Sequence, residues 1–316
     1  MASAQTATEP KADAKKETQA DAKSESKGDA RNDSKADAKS DSKADAKNDT
    51  KAAGKGRGAV ARTGTLHPGY NPKLPTLFLI GDSTVKNSWD AGTDGLWGWG
   101  KPLEFYFDKS KVNVENQALG GTSSRSYQKA NWPGVLALVK PGDFVMMQFG
   151  HNDGAMGGRA SIRGNSEETR EEGTGDNKET VHTYGWYIRK YITDVKAKGA
   201  TPIVCSLIPR KSFAPDGKTN RAANGYGGWA EEAAKQEGAL FIDLNGIIAD
   251  HYDQMGEEAA KAMFPTREGT HPNWKGAVLN AQCVIEGLKK LKDCPLNSDY
   301  AESPMPVRPS TDKTPE

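Results

Sequence analysis

Cysteine is scarce: the 316-residue chain holds Cys205, Cys283 and Cys294 and no others. Their spacing fits no metal-ligand pattern. Cys205 lies in an apolar run and reads as a buried thiol. Cys283 and Cys294 flank the last helical turns and can pair only if the chain folds back there. Long apolar runs are absent, none approaching the ~20 residues of a membrane span, and the N-terminus has no apolar signal-peptide core. An opening Met-Ala-Ser-Ala suits a start placed on a trimmed secreted protein, so a secreted or periplasmic location is expected. Excess charge is absent too: 43 Lys and Arg balance 42 Asp and Glu, which gives no reason to expect nucleic acid or an acidic membrane as partner. Basic and aromatic residues do not interleave as in nucleic-acid binders. No Gly-rich phosphate loop follows a strand, and no motif pairs carboxylates for glycosidase chemistry.

What is present falls into two unlike parts. From Glu9 to Asp49 an acid recurs at every fourth position, and a base follows two places later from Lys11 to Lys51, with Gln19 the exception. Residues four apart are helical neighbours, so a helix here would stack like charges. Nothing apolar exists to bury. Residues 1–66 therefore read as a disordered charged leader and linker; the alternative is a tether to a polyanionic partner. Residues 67–295 read as one folded domain, and 296–316 as a flexible C-terminal tail.

The folded part centres on Leu77-Phe78-Leu79-Ile80-Gly81-Asp82-Ser83-Thr84. An apolar run, residues 76–80, reads as a buried strand. It breaks at a glycine that lets the chain turn tightly and presents a serine hydroxyl where open α/β sheets keep their chemistry. Further strands are expected at 112–116, 144–149, 201–208 and 239–244. Helical patterns lie at 102–107, 133–139, 180–198, 223–237, 246–255, 257–264 and 274–291. Alternating strands and helices predict a mostly parallel sheet covered on both faces. A polar stretch, 154–180, is too poor in apolar residues to be core; it reads as a lid, a subsite or a loop with incidental charge.

Three strand ends present Ser83, Gly121 and Asn152, and His271 precedes the last helix. These are the parts of an acyl-transfer site. Ser83 can serve as nucleophile and His271 as its base. The backbone N–H groups of Ser83 and Gly121, with the Asn152 amide, can supply an oxyanion hole. Trp97 and Trp99, in Gly95-Leu96-Trp97-Gly98-Trp99-Gly100, together with Tyr184 and Trp186, are candidates for a sugar-stacking wall, each balanced against core packing. Arg125 and Tyr127 either contact a substrate hydroxyl or uronate, or buttress the loop after Gly121. His151 is expected to hold its loop by hydrogen bonds, and His67 and His251 to lie on the surface.

Four blocks, Gly81-Asp82-Ser83-Thr84, Gly121 to Tyr127, Phe149-Gly150-His151-Asn152-Asp153-Gly154 and the histidine loop, resemble the SGNH (GDSL-type) hydrolase superfamily, most closely its rhamnogalacturonan acetylesterase group. Val181-His182-Thr183-Tyr184-Gly185-Trp186 and Ser206-Leu207-Ile208-Pro209-Arg210 add to the likeness. The resemblance implies a three-layer α/β/α flavodoxin-like fold with a central five-stranded parallel sheet. It also implies no cofactor, no metal, and removal of acetyl groups from plant-wall polysaccharide such as rhamnogalacturonan, pectin or xylan. The family has Asp three residues before the histidine where this chain has Glu268. A carboxylate one methylene longer can still reach the imidazole, and Glu268 is taken as the acid of the triad. The alternatives are a lipid or thioester hydrolase of the same fold, or a non-catalytic wall-associated carbohydrate binder.

Overall fold

A computed structural model describes residues 64–86, 95–155 and 158–309. The repeat-bearing leader lies outside the described residues.

Among the described residues the first element is strand β1 (Thr76–Gly81), then come helix α1 (Gly100–Leu103) running into a 3-10 turn, and strand β2 (Asn113–Asn116). Two short helices follow, α2 (Ser124–Ala130) and α3 (Trp132–Leu138). Strand β3 is Phe144–Gln148. Strands β4 (Thr169–Glu172) and β5 (Glu179–His182) precede helix α4 (Tyr184–Ala197). Strand β6 (Thr201–Cys205), helix α5 (Tyr226–Gln236) and strand β7 (Leu240–Ile242) come next. Helices α6 (Leu244–Met255), α7 (Glu257–Lys261) and α8 (Trp274–Lys290) complete the set.

Five strands form one sheet in the order β2-β1-β3-β6-β7, every pairing parallel. This is the expected flavodoxin-like order. Strands β1 and β3 are buried along their whole length, because helices cover both faces. Alternation along β1 splits the core. Leu77 and Leu79 point to the layer holding Ala281, Val284 and Leu288 of α8. Phe78 and Ile80 point to Tyr187, Ile188, Tyr191 and Ile192 of α4.

The structure departs from the sequence reading in four places. The polar stretch before α4 holds an antiparallel hairpin, Thr169 pairing with His182 and Glu172 with Glu179. Its strands expose charged side chains on a surface held by ion pairs, so it lacks the apolar alternation that marks a strand. Helix α2 was not anticipated; a capping box between Ser123 and Ser126 starts it, with serine where glutamate is the usual signal. The segment 296–301, expected as part of a flexible tail, is docked. Leu296 is fully buried, Tyr300 bridges to Phe107, and the Ala301 N–H donates to the Tyr106 carbonyl at 3.0 Å. At the other end the chain is tied down from Gly64, whose N–H donates to Gln117 Oε1 at 2.8 Å. All three cysteines are buried free thiols.

Candidate active site

The carboxyl ends of β2, β1 and β3 lie side by side, and Ser83 leaves the middle one. Its turn is fixed by Asp82, whose Oδ1 accepts the Thr84 N–H at 2.9 Å and the Thr84 hydroxyl at 2.7 Å. Burial raises the Asp82 carboxyl above its usual range, against the pull of Thr84, His271 and Arg210. The Thr84 hydroxyl accepts from Gln148 Nε2 at 2.6 Å, and Gln148 Oε1 accepts the Trp99 indole N–H at 2.8 Å. A buried polar chain thus runs from Trp99 through Gln148 and Thr84 to Asp82, under the serine.

His271 reaches Ser83 across the cleft: its Nε2 is 2.7 Å from Ser83 Oγ. The loop that carries it is pinned from several directions. Pro272 O accepts the Trp97 N–H at 2.9 Å, Gly269 O accepts the Lys211 N–H at 2.8 Å, and Asn273 N–H donates to Met263 O at 2.9 Å. Arg210 Nη1 donates to the Thr270 hydroxyl. Glu268 Oε1 accepts the N–H groups of Gly269, Thr270 and His271 at 2.9, 2.7 and 3.1 Å and lies 3.3 Å from His271 Nδ1. Burial pushes the Glu268 carboxyl up, but the imidazole and these N–H groups outweigh it and hold the pKa at about 2.

Opposite the histidine, Gly121 has φ +74°, a conformation that favours glycine. Asn152 Nδ2 donates to Thr122 O at 3.0 Å, which orients the amide and leaves its second N–H. Among the described residues neither the Ser83 nor the Gly121 N–H donates elsewhere. Asp153 clamps this side, accepting from the Ser124 N–H at 3.2 Å, from the Ser124 hydroxyl, and from the Ser161 hydroxyl at 3.0 Å. Burial raises it to about 6 despite these bonds. Ser83, His271 and Glu268 thus form one chain of contacts, and Asn152, through Thr122 O, joins the Gly121 loop beside the same site.

The four residues expected to touch substrate do not line it. Trp97 and Trp99 are 1% and 0% exposed. Trp97 packs edge-on against Trp274 at 4.7 Å, and the Trp99 N–H donates to Thr84 O at 2.9 Å. The interleaved glycines explain the motif: a Cβ at Gly98 would sit 2.4 Å from Lys86 O, so this segment lies flat against the nucleophile turn. Arg125, 4% exposed, pairs with Glu172 and Glu179 of the hairpin at 2.8 and 3.1 Å. Tyr127 is fully buried, its hydroxyl donating to Gln117 O at 2.7 Å. Tyr184 is buried as well. These residues buttress the site. His151 differs from expectation in the other direction: it is buried, and neither ring nitrogen has a hydrogen-bond partner among the described residues. Burial, with Arg210 and His271 nearby, keeps it well below the usual imidazole range.

Sequence reading missed Arg159, whose Nη1 donates to Gly121 O at 2.7 Å, and Lys86, which follows the nucleophile turn. No motif singles either out. Among the described residues no group of three or more His, Cys, Asp or Glu side chains is placed to hold a metal ion, and no helix is long and apolar enough to cross a membrane.

The profile of the GDSL-like lipase/acylhydrolase family matches residues 79–279, a span that takes in Ser83, Gly121, Asn152 and His271. The chain belongs to this family. As a GDSL-family protein it is a carboxylic ester hydrolase. It is 29% identical over 218 residues to the rhamnogalacturonan acetylesterase of Emericella nidulans, covering 67% of this chain and 84% of that one. It is also 29% identical over 220 residues to the probable rhamnogalacturonan acetylesterase YesY of Bacillus subtilis, covering 68% and 93%. The crystal structure of Bacillus subtilis YxiM superposes with a TM-score of 0.57 at 27% identity, over 69% of this chain and 57% of that one.

Proposed function

We propose that this GDSL-family hydrolase is a carbohydrate acetylesterase that deacetylates plant-wall polysaccharide, with acetylated rhamnogalacturonan the preferred polymer. The observation that carries the mechanism is the 2.7 Å contact between Ser83 Oγ and His271 Nε2; among the described residues the Ser83 and Gly121 N–H groups have no other acceptor. His271 Nε2 takes the Ser83 proton as Oγ adds to the acetyl carbonyl carbon. The oxyanion accepts from the Ser83 and Gly121 N–H groups and the second N–H of Asn152, which are fixed before charge develops. Collapse breaks the bond to the sugar oxygen, which leaves with the proton from Nε2. Water then gives a proton to His271 and adds to the acetyl group. Acetate departs, and Ser83 regains its proton. Glu268, ionised throughout, fixes the imidazole and balances its charge.

The choice of acetyl ester over a lipid ester is supported by the names carried by its relatives. Acetate release from acetylated rhamnogalacturonan and acetylated xylan, beside 4-nitrophenyl esters of increasing acyl length, tests it. Release from the polymer, fastest on rhamnogalacturonan, with turnover falling as the acyl chain lengthens, is expected. Folded protein that frees no acetate from either polymer, or prefers long acyl chains, would overturn it.

A further inference from the structure

Lys86 stands at the edge of the cleft without a task in the chemistry above. Its backbone is fixed: the N–H donates to Asp82 O at 3.1 Å, and Gly98 packs against its carbonyl. The side chain runs over Gly120. The position a Cβ would take on Gly120 is 3.3 Å from Lys86 Nζ, 3.4 Å from its Cδ and 3.7 Å from Ser83 Cβ. Ammonium and nucleophile therefore flank one point on the floor of the site, beside the proposed oxyanion donors. Lys86 is half-buried, and among the described residues its ammonium has neither a carboxylate nor a carbonyl partner. The neighbouring cations are already engaged: Arg159 with Gly121 O, Arg210 with Thr270 and His151 O. Among the described residues the nearby acids are engaged as well, Asp82 through Oδ1 by Thr84, Asp153 by Ser124 and Ser161, Glu268 by its own turn. Half-buried, without a partner among the described residues and close to the nucleophile, this ammonium suits an anion carried on the substrate itself.

We infer that Lys86 is a specificity-determining residue that binds the carboxylate of the uronosyl unit whose acetyl group is being removed. The inference rests on the acetylesterase reading and adds to it the residue that recognises the substrate's carboxylate. In a galacturonosyl residue acetylated at O2 or O3, the C5 carboxylate lies across the same ring from the ester. With the acetyl carbonyl at Ser83, the carboxylate has a ring's width to reach Lys86. A xylosyl unit has no such group, so on xylan the ammonium would be left desolvated without a partner, which costs affinity.

The test compares wild type, Lys86→Gln and Lys86→Arg on acetylated rhamnogalacturonan oligosaccharides, the same oligosaccharides after carboxyl reduction, and 4-nitrophenyl acetate. Lys86→Gln is expected to lower kcat/KM on the uronate substrate roughly ten- to a hundredfold more than on the reduced one, mainly through KM. Lys86→Arg is expected to restore most of the difference. Added salt should narrow it, because Lys86 is only half-buried. An equal loss on both oligosaccharides, or none on either, overturns the inference. If wild type cleaves 4-nitrophenyl acetate but neither oligosaccharide, the acetyl-polysaccharide reading has failed. Lys86 is then judged by inhibition of that small ester: digalacturonate inhibiting wild type but not Lys86→Gln supports it, and equal inhibition of both overturns it.

Discussion

A single carboxylate oxygen, Glu268 Oε1, accepts the backbone N–H of His271 at 3.1 Å and lies 3.3 Å from the same residue's Nδ1. The extra methylene of Glu over Asp lets the side chain curl back over its own turn, gathering three N–H groups while still facing the imidazole. The acid therefore sets both the loop and the ring. Glu268→Ala is expected to cut kcat roughly a hundred- to ten-thousandfold with KM little changed, measured on 4-nitrophenyl acetate. Glu268→Asp should retain much of the activity, since an aspartate can accept the Thr270 and His271 N–H groups in the same turn. A folded Glu268→Ala enzyme with near-normal kcat would remove the acid from the mechanism.

Trp99 is expected to act through stability and serine placement, without contacting sugar. Trp99→Phe leaves Gln148 Oε1 without its buried donor, which costs about 1–3 kcal/mol. Thermal unfolding should show that loss, and turnover of 4-nitrophenyl acetate and of polymer should fall by the same factor. A KM increase confined to the polymer would put Trp99 back at a sugar-binding surface.

Arg125 ties α2 to the hairpin across two carboxylates. Removing it leaves Glu172 and Glu179 facing each other without their shared cation. Arg125→Ala is expected to destabilise by roughly 2–4 kcal/mol and to speed proteolysis within residues 169–182. Cleavage there at the wild-type rate would contradict this.

His151 predicts a pH dependence of stability. Its imidazole is buried and held neutral, well below the usual range, whereas the unfolded chain takes a proton there near pH 6.5. The unfolded state thus binds more protons below that pH, and stability is lost as pH falls through the unfolded value. His151→Gln removes this loss. The difference in Tm between wild type and variant should shift in the variant's favour from pH 7 to pH 5. Parallel curves would mean that the imidazole protonates in the fold.

Much of this architecture was legible because it rests on local signals. Continuous apolar runs marked β1 and β3, and the ends of those runs placed Ser83 and Asn152. The glycine at 121 has a local reason, since its φ of +74° favours that residue. The roles of Trp97, Trp99, Arg125 and Tyr127 were not legible, because an aromatic or a cation near a site motif reads alike whether it faces the cleft or supports it from behind. Burial alone separates the two, and burial depends on partners far away in sequence: Gln148 for Trp99, Glu172 and Glu179 for Arg125, Gln117 for Tyr127. The docked segment at Tyr300 was missed for the same reason, its anchor being Phe107.

Acetyl ester hydrolysis is proposed to run through Ser83 paired with His271. Acetate release from acetylated rhamnogalacturonan by wild type and Ser83→Ala, with folding of both checked by circular dichroism, tests it most directly. Release by wild type and a fall of at least roughly ten-thousandfold in Ser83→Ala are expected. A folded Ser83→Ala protein that still releases acetate at a rate comparable to wild type would contradict this.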